Sequence, residues 1–306
     1  MFTAAKVVFF RALSGLHAGS GTDLGIVDSP IQRERFTGFP KLESSGIKGC
    51  IREAFTQIEL PTNDFIDVAF GPADNGDKHA GSVTFTDGRI LLFPVRSARG
   101  VFAYATCPLV LNRLSEDFKI AKIAKITEND DVEISVGEKA LASSSALFID
   151  SDNVILEEYT YPAEQNKKVT ALAKSIAEWL DLSGYAKTLL ENNLIVLDDE
   201  NFSDITQNAT EIITRIRIDN KTGTVVDGAL FTEELLPAET VLYSLVMSSS
   251  LFLPEDVKSE TKEAAGSEQG KFMVDTLAKH IPNYLQIGGN ATIGKGLVAV
   301  SVKGDS

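Results

Sequence analysis

Apolar and polar positions alternate between two periods along this chain, so strands and helices are interleaved. Val7 to Phe10 is a short apolar run, and Ala5 to Ser14 around it reads as the first strand. A polar, glycine-rich stretch follows, from Leu16 to Pro40. Ile47, Ile51, Ala54 and Phe55 then recur at helical spacing, which predicts a helix from a Ser44–Ser45 N-cap to about Ile58. Gly81 to Arg96 reads as a hairpin turning at Asp87–Gly88. Residues 107–126 read as helix, and 131–160 as short strands between acidic turns. Lys168 to Leu180 predicts an amphipathic helix and Tyr185 to Glu191 a shorter one. Glu211 to Ile218 and Thr224 to Phe231 form a second hairpin around Asn220 to Gly223. A strand over Thr240 to Met247, an acidic loop over Glu255 to Gly270, a helix over Gly270 to His280 and a strand over Gly296 to Val302 close the chain. No repeat of solenoid length is present. The order strand, helix, hairpin, helix, closing strand predicts an α+β protein with a ferredoxin-like core carrying insertions. RNA-recognition folds share that topology.

Composition changes this picture little. The 306 residues are 43% hydrophobic and 24% charged, as in ordinary globular proteins. No apolar run approaches the roughly 18–20 residues that span a bilayer. The N-terminus lacks a signal-peptide pattern. Cys50 and Cys107 are too few for a disulfide scaffold, and read as buried thiols. A cytoplasmic protein without membrane contact is expected.

Charge matters more. The net charge of −14 argues against nucleic acid, because phosphate contacts need Lys and Arg. The distribution is uneven, however. Acids gather in 128–138, 150–158, 198–204 and 255–263, whereas residues 29–52 hold Arg33, Arg35, Lys41, Lys48 and Arg52 against Glu34 and Glu43. An acidic exterior around one basic seam suits an anion bound in a groove.

Leu16 to Pro40 is the candidate site. Gly19, Gly21, Gly25 and Gly38 surround His17, Asp23, Asp28, Arg33 and Arg35. Ile26, Val27, Ile31, Phe36 and Phe39 supply apolar anchors, which argues for an ordered loop. His17 reads as structural or catalytic. Asp28, before Ser29–Pro30, reads as a turn starter or as a site carboxylate. In the next helix Gly46 and Gly49 each cost about 1 kcal/mol against alanine, and Lys48 and Arg52 set like charges side by side. Both oddities make sense if a polyanion crosses the helix N-terminus. A solvated helix face with tolerated glycines is the alternative. Gly289 to Lys295 fits the first seven positions of a P-loop, but Gly296 stands where Ser or Thr must bind Mg²⁺. What remains is an anion nest with Lys295 beside it. Glu233 and Glu234, in FTEELLP, read as surface charges.

Taken in order, LHAGSG, IVDSPIQRERFTGFP, SSGIKGCIREAF, ALFTEELLP and LQIGGNATIGKGLV resemble the backbone RAMP subunit of type III-B CRISPR effector complexes. These blocks run from residue 16 to residue 298. The resemblance implies a single RAMP domain over 1–306, with a modified RNA-recognition-type core. It also implies a lid insertion near 60–100 and a projecting hairpin, or thumb, near 214–231, with 81–96 as a competing projection. It implies a helical filament of copies along a guide RNA, together with other subunits of the effector complex. Each copy would cut complementary target RNA at regular intervals in a divalent-metal-dependent reaction, with Mg²⁺ or Mn²⁺. Asp28 matches the family's key aspartate and candidate metal ligand, His17 its loop histidine, and Glu233 the glutamate of its E-E-x-x-P stretch. Leu235 stands where family members often carry tyrosine, so no tyrosine role carries over. Gly19, Ser20, Gly21, Arg33, Arg35, Ser45, Lys48, Arg52, Gly289 and Lys295 are the implied RNA-binding set. Lys48 and Arg52 match loosely, because Gly46–Ile47 precede the lysine. A non-catalytic RNA-binding filament subunit and a guide-processing endoribonuclease are the competing readings.

Overall fold

The computed structural model describes residues 2–22, 25–73, 79–123, 134–226, 229–253 and 258–304. Asp23, the end of the helix expected over 107–126, the start of the stretch 131–160 and the beginning of the acidic segment 255–270 lie outside them.

The chain opens with β1 (Ala4–Ala12), β2 (Lys41–Leu42), α1 (Ser44–Phe55) and α2 (Phe65–Phe70). Next come β3 (Val83–Phe85), β4 (Gly88–Arg96), β5 (Phe102–Thr106), α3 (Pro108–Ile120) and β6 (Ala140–Ala142). They are followed by β7 (Asn153–Leu156), β8 (Tyr159–Gln165), α4 (Lys167–Trp179), α5 (Gly184–Asn193), β9 (Leu194–Val196) and α6 (Asp199–Asn208). The last part holds β10 (Glu211–Arg215), β11 (Phe231–Leu235), β12 (Val241–Ser248), α7 (Glu260–Ala265), α8 (Gln269–His280), β13 (Tyr284–Gln286) and β14 (Leu297–Lys303).

One mixed, mostly antiparallel sheet holds all strands except β10 and β11, which pair with each other. Its centre runs β14–β1–β12–β4; β13 extends it beyond β14, and β5, β9, β6, β8 and β7 extend it beyond β4. Val7, Val8, Phe9 and Phe10 are all fully buried, although successive strand residues point to opposite faces. Both faces must therefore be covered, which is why β1 reads as a continuous apolar run. Phe9 is in register with Tyr243, and Tyr243 with Arg89. On this face Phe9 meets Phe118 of α3 and Trp179 of α4, with ring centroids 6.4 and 5.9 Å away. Phe10, Leu242 and Ile90 share the other face. There Ile47 of α1 lies against Gly88, and Asp275 of α8 pairs with Lys6 at 2.9 Å. So α1 and α8 cover one face, and α3 and α4 the other.

The structure corrects four local expectations. Gly81–Arg96 is not a hairpin: β3 pairs with Val246–Ser248 and β4 with Val241–Tyr243, end to end along β12. Ser244 sits at the break, donating from Oγ to the Thr86 carbonyl at 2.7 Å. The Asp87–Gly88 signal marks a kink between two strand segments that run end to end along β12, and residues 83–85 and 88–96 belong to the central sheet. The second hairpin turns where expected, with Ile218 bridged to Val225 and the Asp219 N–H donating to the Thr224 carbonyl at 2.8 Å. Its regular pairing is shifted, however, with Glu211 opposite Leu235 and Arg215 opposite Phe231, so FTEEL is itself a strand. The acidic segment contains α7, whose Ser259 and Thr261 hydroxyls donate to Asp64 at 2.5 and 2.7 Å.

The fourth correction concerns the cap of α1. The N-cap residue is Glu43, and its side chain makes no capping bond. Instead Asp87 Oδ1 accepts from the Ser44 N–H at 3.0 Å while Oδ2 accepts from Lys41 Nζ at 3.0 Å. Asp87→Ala is expected to cost about 1 kcal/mol, the usual worth of a helix cap. A lowered urea midpoint with an unchanged slope checks this.

Candidate functional site

The loop between β1 and β2 is laced onto β11 by main-chain bonds. Leu16 exchanges two with Leu236, at 2.8 and 2.9 Å. The Ser29 N–H donates to the Thr232 carbonyl at 3.0 Å, and the Glu234 N–H donates back to the Ser29 carbonyl at 3.0 Å. This places two of the sequence blocks, far apart along the chain, side by side. Ile26 and Phe36 do not serve as anchors, being 98% and 80% exposed. Buried Ile31 and Phe39 do.

Polar side chains complete the anchoring. Glu233 and Glu234, expected on the surface, are buried. Strand alternation sends them to opposite sides of β11. Glu234 accepts from the Ile31 N–H at 3.0 Å, Thr210 Oγ1 at 2.8 Å and Arg33 Nη2 at 2.5 Å. Arg33 donates further to the carbonyls of Gly38 and Thr206. It holds the loop together and does not point to a ligand.

Glu233 belongs to a second cluster. It accepts from Asn290 Nδ2 at 2.6 Å and Arg215 Nη1 at 3.3 Å, and Arg215 also donates to Asn290 Oδ1 at 2.7 Å. His17 Nδ1 donates to the Glu234 carbonyl at 2.7 Å. A carbonyl only accepts, so the proton sits on Nδ1. That turns Nε2 toward Ser29 Oγ at 3.4 Å and Glu233 Oε1 at 3.6 Å. Neutral, Nε2 accepts from the Ser29 hydroxyl; protonated, it pairs with Glu233. The turn before β14 closes over the ring from behind: the Gly289 N–H donates to the His17 carbonyl at 2.9 Å. A Cβ at Gly288 would sit 2.3 Å from that carbonyl oxygen, and one at Gly19 would sit 2.6 Å from His17 Nε2. Both positions need glycine for close approach.

Asp28 stands apart from this cluster, and no hydrogen bond or ion pair joins it to His17 or Glu233 among the described residues. Its Oδ2 accepts from the Thr232 N–H at 2.7 Å and from Thr232 Oγ1 at 2.9 Å, and its own N–H donates to Thr232 Oγ1 at 3.0 Å. It is therefore clamped to a residue 204 positions away rather than starting a local turn. The Thr232 backbone N–H, and then its hydroxyl, hold the Asp28 carboxyl below the usual aspartate range. The group is exposed and ionised, and Oδ1 accepts no hydrogen bond among the described residues. No three His, Cys, Asp or Glu side chains among the described residues converge as a metal site. One free carboxylate oxygen is still a suitable donor for Mg²⁺ or Mn²⁺, which take one or two carboxylates and fill the rest with phosphate oxygens and water.

The remaining implied RNA contacts divide. Ser20 is tied by N–H and hydroxyl to the Pro30 carbonyl, while Gly21 turns in open space at φ +108°. Lys48 donates to the Val83 carbonyl at 3.0 Å and Arg52 to the Gly71 carbonyl at 2.6 Å, so both are committed within the chain. Burial, and then the neighbouring Arg52, push the Lys48 ammonium below the ordinary lysine range. Arg35 is exposed, Lys295 half-buried, and neither side chain has a hydrogen-bond or ion-pair partner among the described residues. At the start of α1, Ser45, Gly46 and Gly49 are exposed, and a Cβ at either glycine would meet nothing within 4 Å. The first turn carries no acid. Sequence reasoning missed Thr232, Glu234, Arg215 and Asn290 as site-building residues. Their partners lie in distant blocks, and no local spacing marks them.

This arrangement of one free carboxylate in a loop stitched to a hairpin sits on an α+β scaffold that known proteins share. The sequence model of the RAMP superfamily matches residues 9–299, so this chain belongs to the RAMP superfamily. The CRISPR system Cmr endoribonuclease Cmr4 of Pyrococcus furiosus is 36% identical over 302 residues, covering 98% of this chain and 96% of that protein. The crystal structure of oligomeric Cmr4 from Pyrococcus furiosus superimposes with a TM-score of 0.70 at 29% identity, over 99% of this chain and 98% of that one. A chain of the type III-B Cmr-beta complex in its apo state gives 0.74 at 25% identity, over 99% of both chains.

Proposed function

We propose that this chain is a repeating backbone subunit of a type III-B CRISPR effector complex in the cytoplasm. It binds guide RNA, stacks with copies of itself and with other subunits, and cuts complementary target RNA at regular intervals. The observation that carries the reading is the Asp28 carboxylate: ionised, exposed, and fixed on a loop where distant blocks of the chain converge. The relative's name as a Cmr endoribonuclease and its 36% identity support it.

The strand order β14–β1–β12–β4, with α1 and α8 on one face, supports reading the core as a modified ferredoxin-like unit. The β10–β11 hairpin is then the thumb, and the residues between α1 and β3 belong to the lid. The open glycine face at the start of α1 suits a guide backbone, with Arg35 and Lys295 as free cations. Asp28 faces the target phosphate. A divalent ion held by Asp28 and the RNA would stabilise the charged phosphorane. His17 presents Nε2, the nitrogen able to take or give a proton, toward Ser29 and Glu233. Displacing one target nucleotide brings its 2′-oxygen in line with the phosphorus, a geometry that A-form RNA does not supply.

Reconstitution with guide RNA tests this. A filament by electron microscopy, with target fragments at a constant interval, is the expected result. A filament that binds target without cutting would instead leave the non-catalytic reading. Cleavage of repeat RNA by the isolated chain would favour guide processing.

A further inference from the structure

We propose that Thr232 is a positioning residue for the Asp28 carboxylate, a role that rests on Asp28 being the group that faces the target RNA. Two residues 204 positions apart share three hydrogen bonds, at 2.7, 2.9 and 3.0 Å. Both bonds accepted by the carboxylate fall on Oδ2. Oδ1 accepts no hydrogen bond among the described residues, and the carboxylate is left with one preferred direction. An exposed aspartate otherwise rotates freely about its side-chain bonds, and freedom of that kind spreads a reacting group over unproductive positions. The Thr232 hydroxyl has a double part: it accepts from the Asp28 N–H and donates to the Asp28 carboxylate, so it fixes backbone and side chain together. Thr232 also lies in β11 opposite Thr214 of β10. The direction of Asp28 is therefore set by the same hairpin that supports the rest of the site.

The test uses the full effector complex with three variants: Thr232→Val, Thr232→Ser and Asp28→Asn. Valine keeps the shape, the N–H and the strand preference of threonine but removes the hydroxyl. Thr232→Val is expected to slow single-turnover target cleavage about 10- to 100-fold, the usual loss when an orienting partner is removed. Target affinity and assembly should stay within about twofold of wild type. Thr232→Ser should restore most of the rate, because the hydroxyl returns. In the Asp28→Asn background, Thr232→Val should add no further loss, whereas a general weakening of the fold would add in full. If Thr232→Val does not assemble, Thr232→Ala carries the same comparison. Wild-type cleavage in Thr232→Val, or a loss that Thr232→Ser does not recover, overturns the role of Thr232 while Asp28→Asn remains inactive. Wild-type cleavage in Asp28→Asn overturns the reading of the site itself.

Discussion

Replacing Asp28 by asparagine is expected to lower target RNA cleavage about 10²- to 10³-fold, the loss seen when one electrostatic group aimed at a transition state is removed. The change is nearly isosteric. The Thr232 N–H and hydroxyl, 2.7 and 2.9 Å from Oδ2, retain an oxygen to donate to. What disappears is the negative charge, and with it the free Oδ1 as an anionic donor. Because the side chain is exposed and its two accepted hydrogen bonds keep an oxygen, the fold should be little changed. Single-turnover cleavage in the assembled complex, with target affinity measured on the same preparation, separates these effects. Normal assembly with wild-type cleavage would falsify the assignment.

Glu234→Ala is the second large effect, and its target is architecture. Three donors lose their common acceptor: the Ile31 N–H, Thr210 Oγ1 and Arg33 Nη2. The Arg33 side chain is only 21% exposed, so its charge would be left largely out of water with no carboxylate, held by the Gly38 and Thr206 carbonyls alone. Breaking one side of a buried pair costs about 3–5 kcal/mol. Partial exposure of Arg33 places this case near the lower end, about 3 kcal/mol. For a chain of this size that corresponds to a fall in Tm of roughly 5 °C. Glu234→Gln keeps one acceptor oxygen and should lose about half as much. Cleavage should fall as well, although Asp28 is untouched, because the loop that carries it is no longer pinned at Ile31. A thermal scan showing a shift below about 1 °C would contradict the role given to Glu234.

Legibility differed by element for physical reasons. The run Val7–Phe10 is readable because two-sided burial demands apolar residues at consecutive strand positions. α4, with Val169, Leu172, Ala173 and Ile176 buried, is readable because one face repeats at helical spacing. The Asp87–Gly88 pair misled, because a kink between two strand segments paired along one neighbour uses the same turn residues as a hairpin. Glu233 and Glu234 misled for a related reason. Adjacent acids usually mean solvent, and their reversal depends on Arg33, Arg215, Thr210 and Asn290 arriving from elsewhere in the chain. Lys48 and Arg52 carried a like-charge oddity that suggested a polyanion, and both are held by the carbonyls of Val83 and Gly71.

Sequence alone determined the α+β class, the choice of the Leu16–Pro40 loop as the candidate site, and the family resemblance that singled out Asp28, His17 and Glu233. These are properties of local period, composition and block order, each written within a few dozen residues. Tertiary structure alone decided which chemistry each residue is free to do. Asp28 is clamped by Thr232 through one oxygen, His17 is fixed with its proton on Nδ1, and Glu233 is enclosed by Arg215 and Asn290. Hydrogen bonds and burial act over about 3 Å of space without regard to distance along the chain. A carboxylate that reads as a turn starter in one dimension becomes a free anionic group in three.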